Sequence, residues 1–350
     1  MKKRRSLKRF LVLLILLLLV AGGAWTGIWY IVSGRLITHV LAWEQARQAE
    51  GWTIRHDPPR RTGWPMAAGV ALANVSLSGG SAYVPGGMRW AAGSITLALD
   101  IRHPNALSLA VTGRQVLTID SGQPLAFQAK RFTGQAALLP GDRVGLMQFA
   151  AEDLLAAVPG QDPHQGQVRP ASIARLAAAL RFHAAADAKA PALAVAAEFH
   201  DIRLPPSHMA ALGNPSLLAF DLAFSGPVPV QAAAASAAKN GAAWVRAGGS
   251  MTLNRFHLGD GPLTLDAQGL FGLDSSLRPE GQITVQARGL GPTLDRLAAR
   301  HVMTVPEARA MIAVLGILTP ASGTGVLAAP VTLHDGDVNL GPIPLLRLRP

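Results

Sequence analysis

The sequence predicts an α+β protein that is mainly antiparallel β: an N-terminal transmembrane helix, then a β-rich exported region of curved sheets with a late αα-hairpin. Three observations predict this. A basic cluster runs directly into an uncharged apolar stretch over residues 10–32. Beyond Gly51 apolar residues recur at every second position, the period of half-buried strands. Helical spacing returns only locally, and no alternating βαβ series appears.

Residues 1–9 carry Lys2, Lys3, Arg4, Arg5, Lys8 and Arg9, and every residue from 11 to 20 is Leu, Ile or Val. Each such residue favours insertion by about 0.3–0.6 kcal/mol near the bilayer centre. At 1.5 Å per residue the stretch 10–32 spans roughly 34 Å, enough for a hydrocarbon core of about 30 Å. The positive-inside bias keeps residues 1–9 in the cytoplasm and sends everything after Ser33 across. The expected location is therefore the bacterial inner membrane, single pass, with the bulk in the periplasm. A cleaved signal peptide competes, because Ala21, Gly22, Gly23 and Ala24 offer small residues after an apolar core. Against cleavage, Trp25, Ile28, Trp29, Tyr30, Ile31 and Val32 continue the apolar stretch and set aromatics at the outer interface. Arg4-Arg5-Ser6-Leu7-Lys8 fits a twin-arginine signal only in part.

Composition narrows the function classes. The chain has 350 residues and no cysteine, which excludes a lipidated cysteine, disulfides, thiolate ligands and a cysteine nucleophile. Removing the six basic residues of the first nine lowers the formal charge from +11 to +5, so much of the basicity is topogenic. No basic patch with interleaved aromatics appears, and no nucleic-acid partner is expected. Charged residues make up 15% and hydrophobic ones 49%, so much apolar surface must be buried or kept against lipid.

Residues 33–50 form a membrane-proximal helix continuing the anchor, with Leu36, Val40, Trp43 and Arg47 at helical steps and Gly51 ending it. Residues 52–350 are the β-rich periplasmic region, with 161–169 as a candidate divide between two halves. Val70 and Leu72, then Val75 and Leu77, form a strand with a phase slip at Ala73-Asn74 that a β-bulge explains. Strand alternation recurs at 95–101, 107–111, 125–129, 193–199 and 218–224. The alanine-rich 171–188 reads as helix by propensity or as strand by its neighbours. A short helix is expected over 231–239, followed by a meander of strands at 251–258, 263–273 and 282–287. The αα-hairpin begins near Pro292 with Leu294 and Leu297 on one face. Its second helix has the capping-box spacing Thr304 to Glu307 and an apolar face of Ala308, Met311, Ile312 and Leu315. Asp335-Gly336 closes a final hairpin between 331–333 and 338–340.

Apparent catalytic fragments lack their context. Ser236-Ala237-Ala238-Lys239 has S-x-x-K spacing, but neither S-D-N nor K-T-G occurs. His334-Asp335-Gly336-Asp337 is accounted for by a tight turn. The histidines form no zincin pattern, and Gly323-Thr324-Gly325 lacks a P-loop lysine. Asp100, Asp120, Glu198, Asp221 and Asp266 fall where the solvated face of a sheet belongs. No catalytic residue, cofactor or metal site is therefore expected. The segment from Pro58 to Pro65 is the more suggestive one: a rigid loop carrying Arg60, Arg61 and Trp64 just beyond the membrane-proximal helix. It reads as a membrane or partner contact, the arginines reaching anionic headgroups, or as a structured turn with Trp64 in the core.

The order Gly51-Trp52, Gly63-Trp64-Pro65, Trp244 with Gly248-Gly249, Gly261-Pro262-Leu263, Leu273-Asp274, Leu277-Arg278-Pro279-Glu280-Gly281 and Asp335-Gly336 with Leu340-Gly341-Pro342 resembles the proteobacterial family of domain of unknown function 2125 (DUF2125). In this chain Gly259-Asp260-Gly261 stands where that family more often has an aromatic before Gly-Pro. The resemblance implies a single-pass envelope protein and transfers no active site. A looser similarity, of architecture only, is to AsmA-like envelope proteins, in which curved apolar sheets are thought to shelter lipid. The expected function is non-enzymatic: envelope maintenance by binding lipid or another envelope component. A periplasmic interaction scaffold docking a partner at the 58–65 loop is the alternative. A hydrolase would require a polar cleft gathering residues such as His200, Asp201 and His334.

Overall fold

A computed structural model describes residues 2–81, 84, 86–100, 103–139, 143–158, 169–183, 191–204, 213–226, 237–274, 276–318, 326–334, 336–340 and 343–347. The N-terminal apolar stretch and the membrane-proximal segment form one rod, α1 (Lys2–Ala49), about 72 Å long at 1.5 Å per residue. It is followed by β1 (Thr53–Arg55), β2 (Arg60–Thr62), β3 (Ala67–Gly79), β4 (Met88–Asp100), β5 (His103–Ile119), β6 (Leu125–Gln128), β7 (Arg131–Leu139), β8 (Arg143–Val158), β9 (Arg169–Phe182), β10 (Pro191–Arg203) and β11 (Leu217–Ser225). Then come α2 (Ala237–Arg246), β12 (Ser250–Asp260), β13 (Leu263–Leu273), β14 (Pro279–Arg288), α3 (Leu290–Ala299), α4 (Val305–Leu318), β15 (Val326–His334), β16 (Asp337–Leu340) and β17 (Ile343–Arg347).

All strands belong to one antiparallel sheet, and strand makes up 58% of the structure. The sheet is a meander in which each long strand pairs with its neighbours in sequence. Two positions are shared: β1 and β2 both lie on β3, and β6 and β7 divide the place between β5 and β8. At about 4.8 Å per step, the ladder from β3 to β17 is roughly 60 Å across.

The alanine-rich segment is strand: β9 pairs with β8 on one side and β10 on the other, so the ladder overrides helix propensity. The first residues of the expected 231–239 helix, 231–236, lie outside the described residues. The helix, α2, shares only residues 237–239 with that expectation and runs on to Arg246, because Trp244 anchors its packed side, where the indole N–H donates to Ser225 O at 3.0 Å. Residues 161–168 of the candidate divide also lie outside the described residues; β8 and β9 flank them and pair from Val158↔Arg169 to Leu146↔Arg181. The αα-hairpin holds Leu294, Ala298 and Ala308 together in one cluster. Met311, expected on that apolar face, is exposed, because the contact runs through Ala308 and Ile312 instead.

The phase slip in β3 has a different cause from the expected bulge. Register is continuous across it, with Ala73↔Ser94 and Val75↔Ala92, and Asn74 between them is left-handed at φ 53°. Asp153 in β8 and Asp201 in β10 are left-handed too, at φ 50° and 52°. Asn and Asp tolerate this region better than other side chains, and each such residue bends its strand. In β5 the same place is taken by Gly113, φ 82°, opposite Gly93; here one residue is inserted, and a Cβ on Gly93 would meet Thr112 O at 3.1 Å. Register connects these positions through Ala174, which faces both Asp153 and Asp201 between paired neighbours. A crease therefore crosses the sheet from β3 to β10. On either side of it the same face is kept by residues three apart, such as Leu72 and Val75, Ala92 and Ile95, and Ala151 and Leu154.

The packed core lies at the start of the sheet. Leu36 of α1 meets Val70, Leu72, Val75, Ala92, Ile95 and Val111, with Ile37 and Val40 packed around them.

Candidate functional site

The register shows what that core belongs to. Residues directly opposite in an antiparallel ladder share a face. Starting from Leu72 the row runs Ile95, Val111, Phe132, Ala151, Leu176, Phe199, Leu218, Leu258 and Leu265 to Ala287 and Leu327. A second row passes through Phe149, Ala178, Ala197, Phe220, Phe256, Ala267, Val285 and Ala329. A third passes through Val195, Leu222, Leu253, Gly269, Ile283 and Val331. No polar or charged side chain enters these rows. A bulge at Asn254-Arg255 keeps Leu253 and Phe256 on the same face despite their spacing of three.

The opposite face is polar. It carries Gln148, Glu198, Asp221, Arg255, His257, Asp266, Gln282 and Gln286, with His257 Nδ1 2.7 Å from Asp266 Oδ1 and Arg255 3.7 Å from Glu198. A shallow furrow crosses this side, lined by the polar side chains Thr133, Gln135, Gln148 and Glu198 between small alanines. Asp221, Glu198 and Asp266 thus sit on the solvated face, as their alternation predicts.

Coverage of the apolar face is uneven. Among the described residues the most extensive helix–sheet packing is that of α1 on β1–β3, with slighter contacts of α3 on β13 and of α2 through Trp244 on β11. Val70 is 0% exposed under α1 and Val111 3%. From β8 onward burial is mixed: Leu154, Ile202, Leu258 and Leu263 are buried, whereas Phe149, Leu180, Phe199, Phe220, Phe224, Met251 and Phe271 of the same face are only half-buried. Phe199 and Phe220 stand with ring centroids 6.4 Å apart, as do Phe132 and Phe149.

The 58–65 segment is the other half of the site. Arg60 and Arg61 lie in β2, paired with Ala71 and Val70, and a turn through Gly63, Trp64, Pro65 and Met66 leads into β3. The turn closes through Ala67 N–H to Gly63 O at 2.9 Å; Gly63 has φ 91°, and a Cβ there would meet Ala67 O at 2.6 Å. The hairpin is fastened to α1. Trp25 Nε1 donates to Pro65 O at 2.7 Å, Trp29 Nε1 donates to Ala67 O at 2.9 Å, and the Arg61 guanidinium stacks over Tyr30 at 4.1 Å. Trp64 is 58% exposed and Met66 76%, which overturns the reading that places Trp64 in the core. Higher on α1 polar contacts fix the helix to the sheet, buried at Glu44 and exposed at Asp57 and Asn74. His56 Nε2 is 2.6 Å from Glu44 Oε1, and Asp57 accepts from the Asn74 side chain at 2.8 Å.

The remaining candidates do not converge. His200 and Asp201 lie on β10, whereas His334 ends β15, with β11 to β14 between them. Ser236 lies outside the described residues. Among the described residues no three His, Asp or Glu side chains gather in a way that holds a metal. Among the described residues two carboxyls sit below their usual range, both for local reasons. Asp274 accepts from the Arg278 backbone N–H, and also from its side chain and from the Ser276 N–H. Glu307 accepts from the backbone N–H and hydroxyl of Thr304, completing the capping box.

Fold and site together define a class: a sheet tethered to a long apolar helix, apolar along one face, closed by that helix at one end and half-open beyond. Within that class the chain belongs to a bacterial family described as "Uncharacterized protein conserved in bacteria (DUF2125)", whose family model matches residues 29–349. The match begins on α1 at Trp29 and takes in the whole sheet. No curated protein and no solved structure matches the chain, and the looser AsmA-like similarity has no match behind it. Sequence reasoning found the tryptophans and arginines of the hairpin but missed the continuity of the apolar face. The available signal was the recurrence of Asn or Asp directly before an apolar residue, as in Asn74-Val75, Asp153-Leu154 and Asp201-Ile202.

Proposed function

We propose that this protein is a non-catalytic, single-pass protein of the bacterial inner membrane, with its bulk in the periplasm, that serves envelope maintenance by holding lipid acyl chains on its sheet. The supporting observation is the set of three apolar rows from β8 to β15, which no polar side chain enters and whose aromatic residues are half-buried; α3 reaches only the β12–β13 end, where Arg296 pairs with buried Asp260. Acyl chains suit such a surface, since each methylene removed from water contributes about 0.8 kcal/mol and needs no polar partner. Among the described residues the three rows carry no side chain that grips a headgroup, so the headgroup stays in solvent and the class of ligand is a chain-bearing lipid with little headgroup selection. The test is mass spectrometry of lipid retained by the full chain in mild detergent. Recovery of phospholipid beyond that held by a variant with a charge on the open face supports the reading. Equal lipid in both, with one defined protein co-purifying instead, supports a scaffold.

A further inference from the structure

We propose that the turn from Gly63 to Met66 is a second membrane contact, seated in the outer leaflet beside α1; this rests on α1 spanning the bilayer. The depth follows from the helix. A hydrocarbon core of about 30 Å takes some twenty residues, so a span starting near Phe10 ends near Trp29 or Tyr30. Pro65 O is bonded to Trp25, about one helical turn below Tyr30, so the tip lies inside that boundary. Trp64 and Met66, 58% and 76% exposed, extend the exposed apolar surface of α1 that includes Ile28 and Ile31.

The backbone chemistry agrees with this depth. Irregular backbone is costly among lipids unless its polar groups are satisfied. Here the carbonyls of Gly63, Pro65 and Ala67 all accept hydrogen bonds, the latter two from indole N–H groups that themselves need partners in an apolar setting. Charge returns at the next level up. Arg61 is held over Tyr30, with Arg60 and Arg35 exposed, where phosphates of the headgroup layer lie. A hairpin seated in this way fixes the rotation of the sheet about α1 and holds β3 against the leaflet, which a single helix cannot do.

The cysteine-free chain permits a direct test with single fluorophores on the full protein in phospholipid nanodiscs doped with nitroxide-labelled lipid. Labels are placed at Met66→Cys, at Leu19→Cys within the span, and at Ile119→Cys at the exposed end of β5. The proposal expects quenching at 66 to approach that at 19 and to exceed that at 119 several-fold. Strong quenching at 19 with 66 no higher than 119 overturns the membrane-seated turn while leaving the anchor intact. Weak quenching at all three overturns the spanning helix and the proposal with it.

Discussion

The apolar rows under α1 and the apolar rows from β8 to β15 follow the same alternation, yet they are closed to different degrees. Val70, Leu72, Ile95 and Val111 are packed beneath Leu36, Ile37 and Val40; Phe149, Phe199, Phe220 and Phe271 are half-open. Alternation therefore states which face is apolar and is silent on what covers it. At one end the cover is the protein's own helix; in the proposed function the cover elsewhere is lipid.

That difference can be broken by the same kind of substitution at the two places. Val70→Asp buries a charge with no partner and is expected to cost about 4 kcal/mol or more, seen as loss of the cooperative unfolding transition of the full chain in detergent. Phe220→Asp puts the same charge on the open face, where water reaches it. A stability loss of about 1–2 kcal/mol, with the fold retained and bound lipid greatly reduced, is expected from circular dichroism and lipid quantification. A Phe220 variant that unfolds like Val70→Asp would mean that the two regions are covered alike.

The crease is shared by both regions and sharpens the comparison at smaller magnitude. If Asp153 is present for its left-handed backbone, Asp153→Gly is nearly neutral in chemical denaturation, while Asp153→Val costs about 1–2 kcal/mol. Equal loss in both variants would assign the effect to the ion pair with Lys130 at 3.6 Å instead. The smallest effect is expected far from either region, at the α4 capping box. Glu307 is held below its usual range in the folded chain, so its contribution is present above the unfolded carboxylate range and is lost as pH falls through the folded value. Hydrogen exchange in the first turn of α4, corrected for intrinsic rates, should rise on acidification in the parent chain and be insensitive to it in Glu307→Gln.

Much of this was legible in the sequence. The long apolar N-terminal helix, most strands, the αα-hairpin and its capping box follow from periods and caps, because those are local properties. The alanine-rich β9 was ambiguous, since alanine favours helix and only pairing with β8 and β10 makes it a strand. Trp64 was legible as a feature but not as exposed, because the turn that carries it is held by the Pro65 and Ala67 carbonyls, which accept from two tryptophans some forty residues upstream. The continuous face was hidden by the crease: spacing of three between Leu72 and Val75 or Ala151 and Leu154 disrupts the period of two just where the strands agree. Short β1, β2 and β17 carry too few residues to show any period.

The central claim is that the face from β8 to β15 is covered by lipid, and its most direct test is a photocrosslinking amino acid placed at Phe220 in cells, with His257 on the polar face of neighbouring β12 as the control. The account predicts a lipid adduct at 220 and none at 257. A crosslink from 220 into another segment of this chain, or equal adducts at both positions, would contradict it.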